Sequence, residues 1–102
     1  MGKYFNSMSS SEQTLRITVA TLMHACGENQ TVLARGLRIT QGQISRKQSG
    51  RASWSLGDID RLARHYGIPV PDLLAGPSHA VEKLPHVRRA AMVGGSQEVF
   101  AV

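Results

Sequence analysis

The sequence predicts an all-α domain of five short helices, and three observations predict it. Apolar residues recur at three- and four-residue intervals from Leu15 to Tyr66, the period of a helix with one buried face. A capping residue precedes each of the first four periodic runs, and a glycine or proline follows most of them. The length of 102 residues accommodates one core and not two. The expected organisation is a flexible N-terminal arm over 1–10, a helical domain over 11–76 and a C-terminal tail over 77–102.

The first ten residues are polar and serine-rich without an apolar period, as in a mobile arm. Order begins near Ser11. Ser9 and Ser10 stand three residues ahead of Glu12 and Gln13, the spacing of a capping box, and Leu15, Val19, Leu22, Met23 and Cys26 form one face that ends at Gly27. Asn29 caps a second helix carrying Val32, Leu33 and Leu37. Thr40 caps a third from Gln41 to about Gln48, with Ile44 pointing inward, and only Arg38 and Ile39 separate the two. In the fourth, Ser55 is the N-cap, Asp58 its box partner, and Trp54 is placed to staple onto Ile59. Leu56, Ile59, Leu62, Ala63 and Tyr66 share a face, Gly67 suits the left-handed position beyond the end, and Ile68-Pro69 stops the helix. A short fifth helix begins near Pro71 and runs through Leu73 and Leu74 to Gly76-Pro77. In the tail, apolar residues flank Gly94-Gly95-Ser96-Gln97, a pattern open to a short β-hairpin or to an unstructured segment.

No run approaches the ~20 apolar residues of a membrane helix, and the N-terminus lacks the apolar stretch of a signal peptide, so a cytoplasmic protein is expected. Cys26 is the only cysteine and cannot form an internal disulfide; on an apolar stripe it reads as a small buried hydrophobe. The net charge of +5 is localised. From Asn29 to Gly57 there is no acidic residue, while Arg35, Arg38, Arg46, Lys47 and Arg51 are all positive; the seven basic residues elsewhere are matched by seven acidic ones. A basic segment beside a neutral remainder is the footprint of an anionic partner, most often nucleic acid, or else a solvated face.

The run Gln30-Thr31-Val32-Leu33-Ala34, then Ile39-Thr40-Gln41-Gly42-Gln43-Ile44-Ser45-Arg46, then Ser49-Gly50, resembles the lambda repressor and Cro type of helix-turn-helix, the XRE family. The resemblance extends through Leu62 to Ile68 and Asp72-Leu73-Leu74, covering roughly residues 15 to 75. It implies a lambda-repressor-like DNA-binding domain whose third helix enters the major groove. There Gln41 and Gln43 sit at the helix start, where glutamine can pair with adenine, and Arg46 one turn on can pair with guanine. Gly42 allows close approach of the backbone. The resemblance gives Gln30 a phosphate contact. Thr40, Ser45, Lys47, Ser49 and Arg51 are expected to hold the sugar-phosphate backbone and set register, and Arg38 completes the expected DNA-contacting set.

The sequence departs from the family pattern in three places. Arg38 occupies the turn position that usually carries glycine, Gly36 lies inside the second helix at a cost of about 1 kcal/mol, and Gln48 stands where an acidic residue is common. Catalysis finds no support: His24, His65, His79 and His86 are scattered, and there is no phosphate loop, carboxylate cluster or Cys-His pair. No metal, cofactor or small-molecule ligand is expected. The expected function is sequence-specific binding of double-stranded DNA by a regulator, a repressor of the phage or mobile-element type being one setting. The alternatives are an antitoxin, or a protein-interaction module on the same fold. Two half-sites require two copies, and Met92, Val93, Val99, Phe100 and Val102, left over from the helical core, are the expected dimerisation residues.

Overall fold

The structure, a computed structural model, describes residues 9–89. Within them every regular element is a helix: α1 (Ser10–Cys26), α2 (Gln30–Leu37), α3 (Gln41–Ser49), α4 (Leu56–Tyr66), α5 (Val70–Leu73), α6 (Pro77–Lys83) and a closing 3₁₀ turn (His86–Arg89). The all-α expectation holds, with one helix more than the five expected. Pro77 starts α6 at its first turn, where a missing N–H costs nothing, instead of ending the ordered domain. The hairpin expected around Gly94-Gly95 lies outside the described residues.

Local chemistry sets the boundaries. Ser9, Thr40 and Ser55 each accept a hydrogen bond from the backbone three residues on, while Glu12, Gln43 and Asp58 bond back to the cap, so three helices begin with a reciprocal box. Asn29 caps α2 through Val32 N at 2.9 Å. Gly27, Gly50 and Gly67 take the left-handed conformation at the ends of α1, α3 and α4.

The core runs through all these elements, from Leu15, Val19 and Leu22 on α1 through Leu33, Leu37 and Ile44 to Trp54, Leu62, Tyr66 and Leu73. Helix α1 packs chiefly on α6, and α2 on α3 and α4. Ala80 and Leu84 are buried, so α6 and the residue that ends it belong to the same core as the first five helices. Arg89 donates to the Val81 carbonyl, folding the 3₁₀ turn back on α6. Thr18 is polar but buried, and its hydroxyl is satisfied by the Thr14 carbonyl at 2.9 Å. Cys26 is half-buried against the core, and burial pushes its thiol above the ordinary range, which suits a packing role. No helix among the described residues is long and apolar enough to cross a membrane, and none of their His, Cys, Asp and Glu side chains cluster to hold a metal ion.

Candidate nucleic-acid interface

The turn between α2 and α3 is made without glycine. Arg38 adopts φ 61°, ψ 40°, its N–H bonds to the Arg35 carbonyl at 3.2 Å, and Ile39 N bonds to Ala34 O at 3.0 Å. A left-handed arginine costs roughly 1–2 kcal/mol relative to an ordinary helical residue, and the two closing hydrogen bonds with the partly buried Ile39 hold it there. The left-handed turn that glycine makes freely is thus made here by arginine. Thr40 then opens α3, and at its first residue Gln41 Nε2 donates to Gln30 Oε1 at 2.6 Å, fastening the start of α3 to the start of α2.

Helix α3 buries Ile44 fully and turns Lys47 and Gln48 inward, leaving its other residues on the outer side. Gln41, Gln43 and Arg46 are exposed, and Gly42 and Ser45 are half-exposed. Arg46 lies back along the helix over Gly42, its Nη1 3.6 Å from where a Cβ would stand on that glycine. A guanidinium is thus carried toward the N-terminal end of α3. Gln43 Oε1 accepts from Thr40 N at 2.8 Å and from Thr40 Oγ1 at 3.2 Å, so this side chain closes the helix start. Ser49 donates to the Arg46 carbonyl at 3.2 Å, and Arg51 is exposed just beyond Gly50.

Lys47 sits differently from its neighbours. Its ammonium lies 2.8 Å from Asp58 Oδ2, donates to the Ser53 carbonyl at 3.1 Å and stands 5.8 Å over the Trp54 ring, with 15% of the side chain exposed. Gln48 accepts from Trp54 Nε1 at 3.1 Å and donates to the Arg16 carbonyl at 3.1 Å, tying α3 to α1 and to the loop before α4. Burial acts to raise the Asp58 carboxyl, but hydrogen bonds from Lys47 and from Ser55, with the lysine charge, outweigh it and hold the carboxyl below its usual range. These residues fix the angle at which α3 is presented. Sequence reasoning missed Gln48 in this role, although a buried Trp N–H six residues away needs an acceptor.

A second cluster that sequence reasoning missed braces α4. Glu28, from the α1–α2 loop, lies 2.7 Å from His65 Nε2, accepts from Tyr66 Oη at 2.7 Å, and accepts from Arg88 Nη2 at 3.1 Å. Burial works to raise the Glu28 carboxyl, yet the His65 and Tyr66 hydrogen bonds and the charges of His65 and Arg88 hold it below the usual value. An ionised carboxylate only accepts, so His65 Nε2 carries the hydrogen. Burial and the facing Glu28 push the Tyr66 hydroxyl well above its ordinary value, and it remains a neutral donor. Of the sequence-predicted residues, Gln30 opens α2, Thr40 caps α3, Gln41, Gly42, Gln43, Ser45, Arg46 and Ser49 lie along α3 and Arg51 follows its end, whereas Lys47 turns inward to Asp58 and Arg38, in the turn, lines a cavity beside α4. Met92, Val93, Val99, Phe100 and Val102 lie outside the described residues.

Two short helices joined by a tight turn, the second held by its underside and exposed along its outer face, define a helix-turn-helix DNA-binding domain. The chain belongs to the Cro/C1-type HTH DNA-binding domain family, whose model matches residues 16–76. No curated protein and no solved structure gives a significant match.

Proposed function

We propose that the protein is a transcriptional regulator that recognises a specific duplex operator as a homodimer and acts there as a repressor. The observation that supports this reading is the outer face of α3, where exposed Gln41, Gln43 and Arg46 surround Gly42 with no acidic residue from Asn29 to Gly57. Glutamine and arginine are the side chains whose paired donors and acceptors match adenine and guanine in the major groove. On this reading Arg46 contacts a guanine, and Gln41, held by Gln30, meets an adjacent base. Gln43 leaves its cap to do the same. The N–H groups at the start of α2, with Gln30, Thr40, Ser45, Ser49 and Arg51, hold phosphates. Lys47 supports the frame through Asp58. Dimerisation follows from the few base pairs that one such helix spans, and is assigned to the tail residues Met92, Val93, Val99, Phe100 and Val102.

Selection of bound fragments from a random duplex pool, followed by binding curves at two salt concentrations, tests the reading. A two-fold symmetric motif, bound at least about a thousandfold more tightly than random duplex, is the expected result. Enrichment of no motif would reduce the activity to charge alone.

A further inference from the structure

A cavity of about 610 Å³ lies between the α2–α3 turn and α4, lined by Gly36, Leu37, Arg38, Arg61, Arg64 and His65. Three of its six lining residues are arginines, one from the turn and two from α4, and no Asp or Glu is among them. Among the described residues the Arg38 and Arg64 side chains make no ion pair or hydrogen bond. Arg61 has Asp58 Oδ1 at 3.4 Å, but the other oxygen of that carboxylate is held by Lys47 at 2.8 Å, so positive charge remains in excess. Gly36 leaves one wall as bare backbone over the imidazole, since a Cβ there would stand 2.5 Å from His65 Nδ1. Arg38 takes a backbone conformation that glycine adopts freely, and a strained residue beside a cavity points to a use for its side chain.

The cavity is separate from the face of α3 described above. Gln30 and Gln41 meet at 2.6 Å where α2 and α3 begin. Gly36 and Arg38 are roughly 9–12 Å further along the α2 direction, at about 1.5 Å per residue. None of Gln41, Gln43 and Arg46 lines it.

We propose that this cavity docks an acidic segment of a partner protein, whose carboxylates are received by Arg38, Arg61 and Arg64. Planar guanidinium groups bind carboxylates in bidentate fashion, and three arginines around one cavity suit an acidic stretch of more than one carboxylate. A small-molecule site would need a largely apolar enclosure, whereas the only apolar side chain here is the buried Leu37. Duplex phosphates are the competing anion, and the DNA affinity of the Arg61→Ala/Arg64→Ala variant separates the two.

The test is a titration of the full chain into a fluorescein-labelled ten-residue oligoglutamate, followed by anisotropy, with labelled oligoserine as the blank. Arg38→Gly and the double variant Arg61→Ala/Arg64→Ala should each weaken oligoglutamate binding at least tenfold, while Arg46→Ala changes it less than twofold. Arg38→Gly relieves the left-handed arginine and should melt no lower than wild type, so its loss of binding cannot come from unfolding. Duplex DNA affinity of Arg61→Ala/Arg64→Ala should stay within threefold of wild type. Equal weakening by Arg46→Ala would reduce the effect to overall charge and overturn the proposal. So would absence of oligoglutamate binding, displacement of the peptide by millimolar inorganic phosphate, or a parallel loss of DNA affinity in the double variant.

Discussion

Lys47 Nζ lies 2.8 Å from Asp58 Oδ2, joining the last turn of α3 to the first turn of α4 through a pair whose side chains are 15% and 6% exposed. The same carboxylate closes the capping box of α4 through Ser55 N at 2.9 Å. One acidic group therefore sets both the start of α4 and the seating of α3. Lys47→Ala should cost about 1–3 kcal/mol in urea unfolding, because it strips a charged partner from a buried carboxylate. A lysine used on a phosphate would instead lower the salt slope of DNA binding by about one unit with stability unchanged.

Gly36 is exposed on α2, yet a Cβ built there would meet His65 Cε1 and Nδ1 at 2.5 Å. Gly36→Ala gains roughly 1 kcal/mol of helix propensity and forces His65 off Glu28, an overpacking that costs typically 1–3 kcal/mol. The steric cost should win, with a net loss of stability by thermal melting. His65→Ala in the same background should recover part of it.

Glu28 and Asp58 are both held below their ordinary carboxyl values, so each binds protons more weakly folded than unfolded. Their stabilisation is complete above the unfolded values of about 4 and is lost as pH falls through the lower folded ones. Stability should be flat down to about pH 5 and decline below 4. Tyr66→Phe removes a donor from Glu28 Oε1, costs about 1–2 kcal/mol, and should move the acid unfolding midpoint to higher pH, measured by far-UV circular dichroism.

Much of this architecture was legible because its signals are local. Ser9, Asn29, Thr40 and Ser55 cap the helices the sequence assigns to them, and Gly27 and Gly67 end theirs. Helix α6 was not legible, since Gly76-Pro77 reads equally as a stop or a start and only burial of Ala80 and Leu84 against α1 decides between them. At the candidate interface the residue types of α3 were visible, but not that Lys47 turns inward to a residue eleven positions on, or that Gln43 folds back on Thr40. The Glu28–Arg88 contact spans 60 positions, and no local pattern encodes it.

Helix α6 also changes where the chain can be cut. A protein ended after Gly76 loses Ala80 and Leu84 from the core and should be destabilised by several kcal/mol, whereas one ended after Arg89 should keep its helical signal and melting temperature. If the tail carries dimerisation, the chain ended after Arg89 sediments as a monomer and loses most operator affinity. Unchanged sedimentation as a dimer would move the interface into the helical domain.

Base reading by α3 rests most directly on Arg46, whose guanidinium lies over Gly42 on the exposed face and makes no ion pair among the described residues. Affinities of Arg46→Ala should be measured for the selected operator and for a random duplex of equal length, at two salt concentrations. If Arg46 reads a base, the operator loses about 1–3 kcal/mol with relaxed preference at one base pair, and random duplex loses much less. Equal losses on both duplexes, or none on the operator, would contradict it.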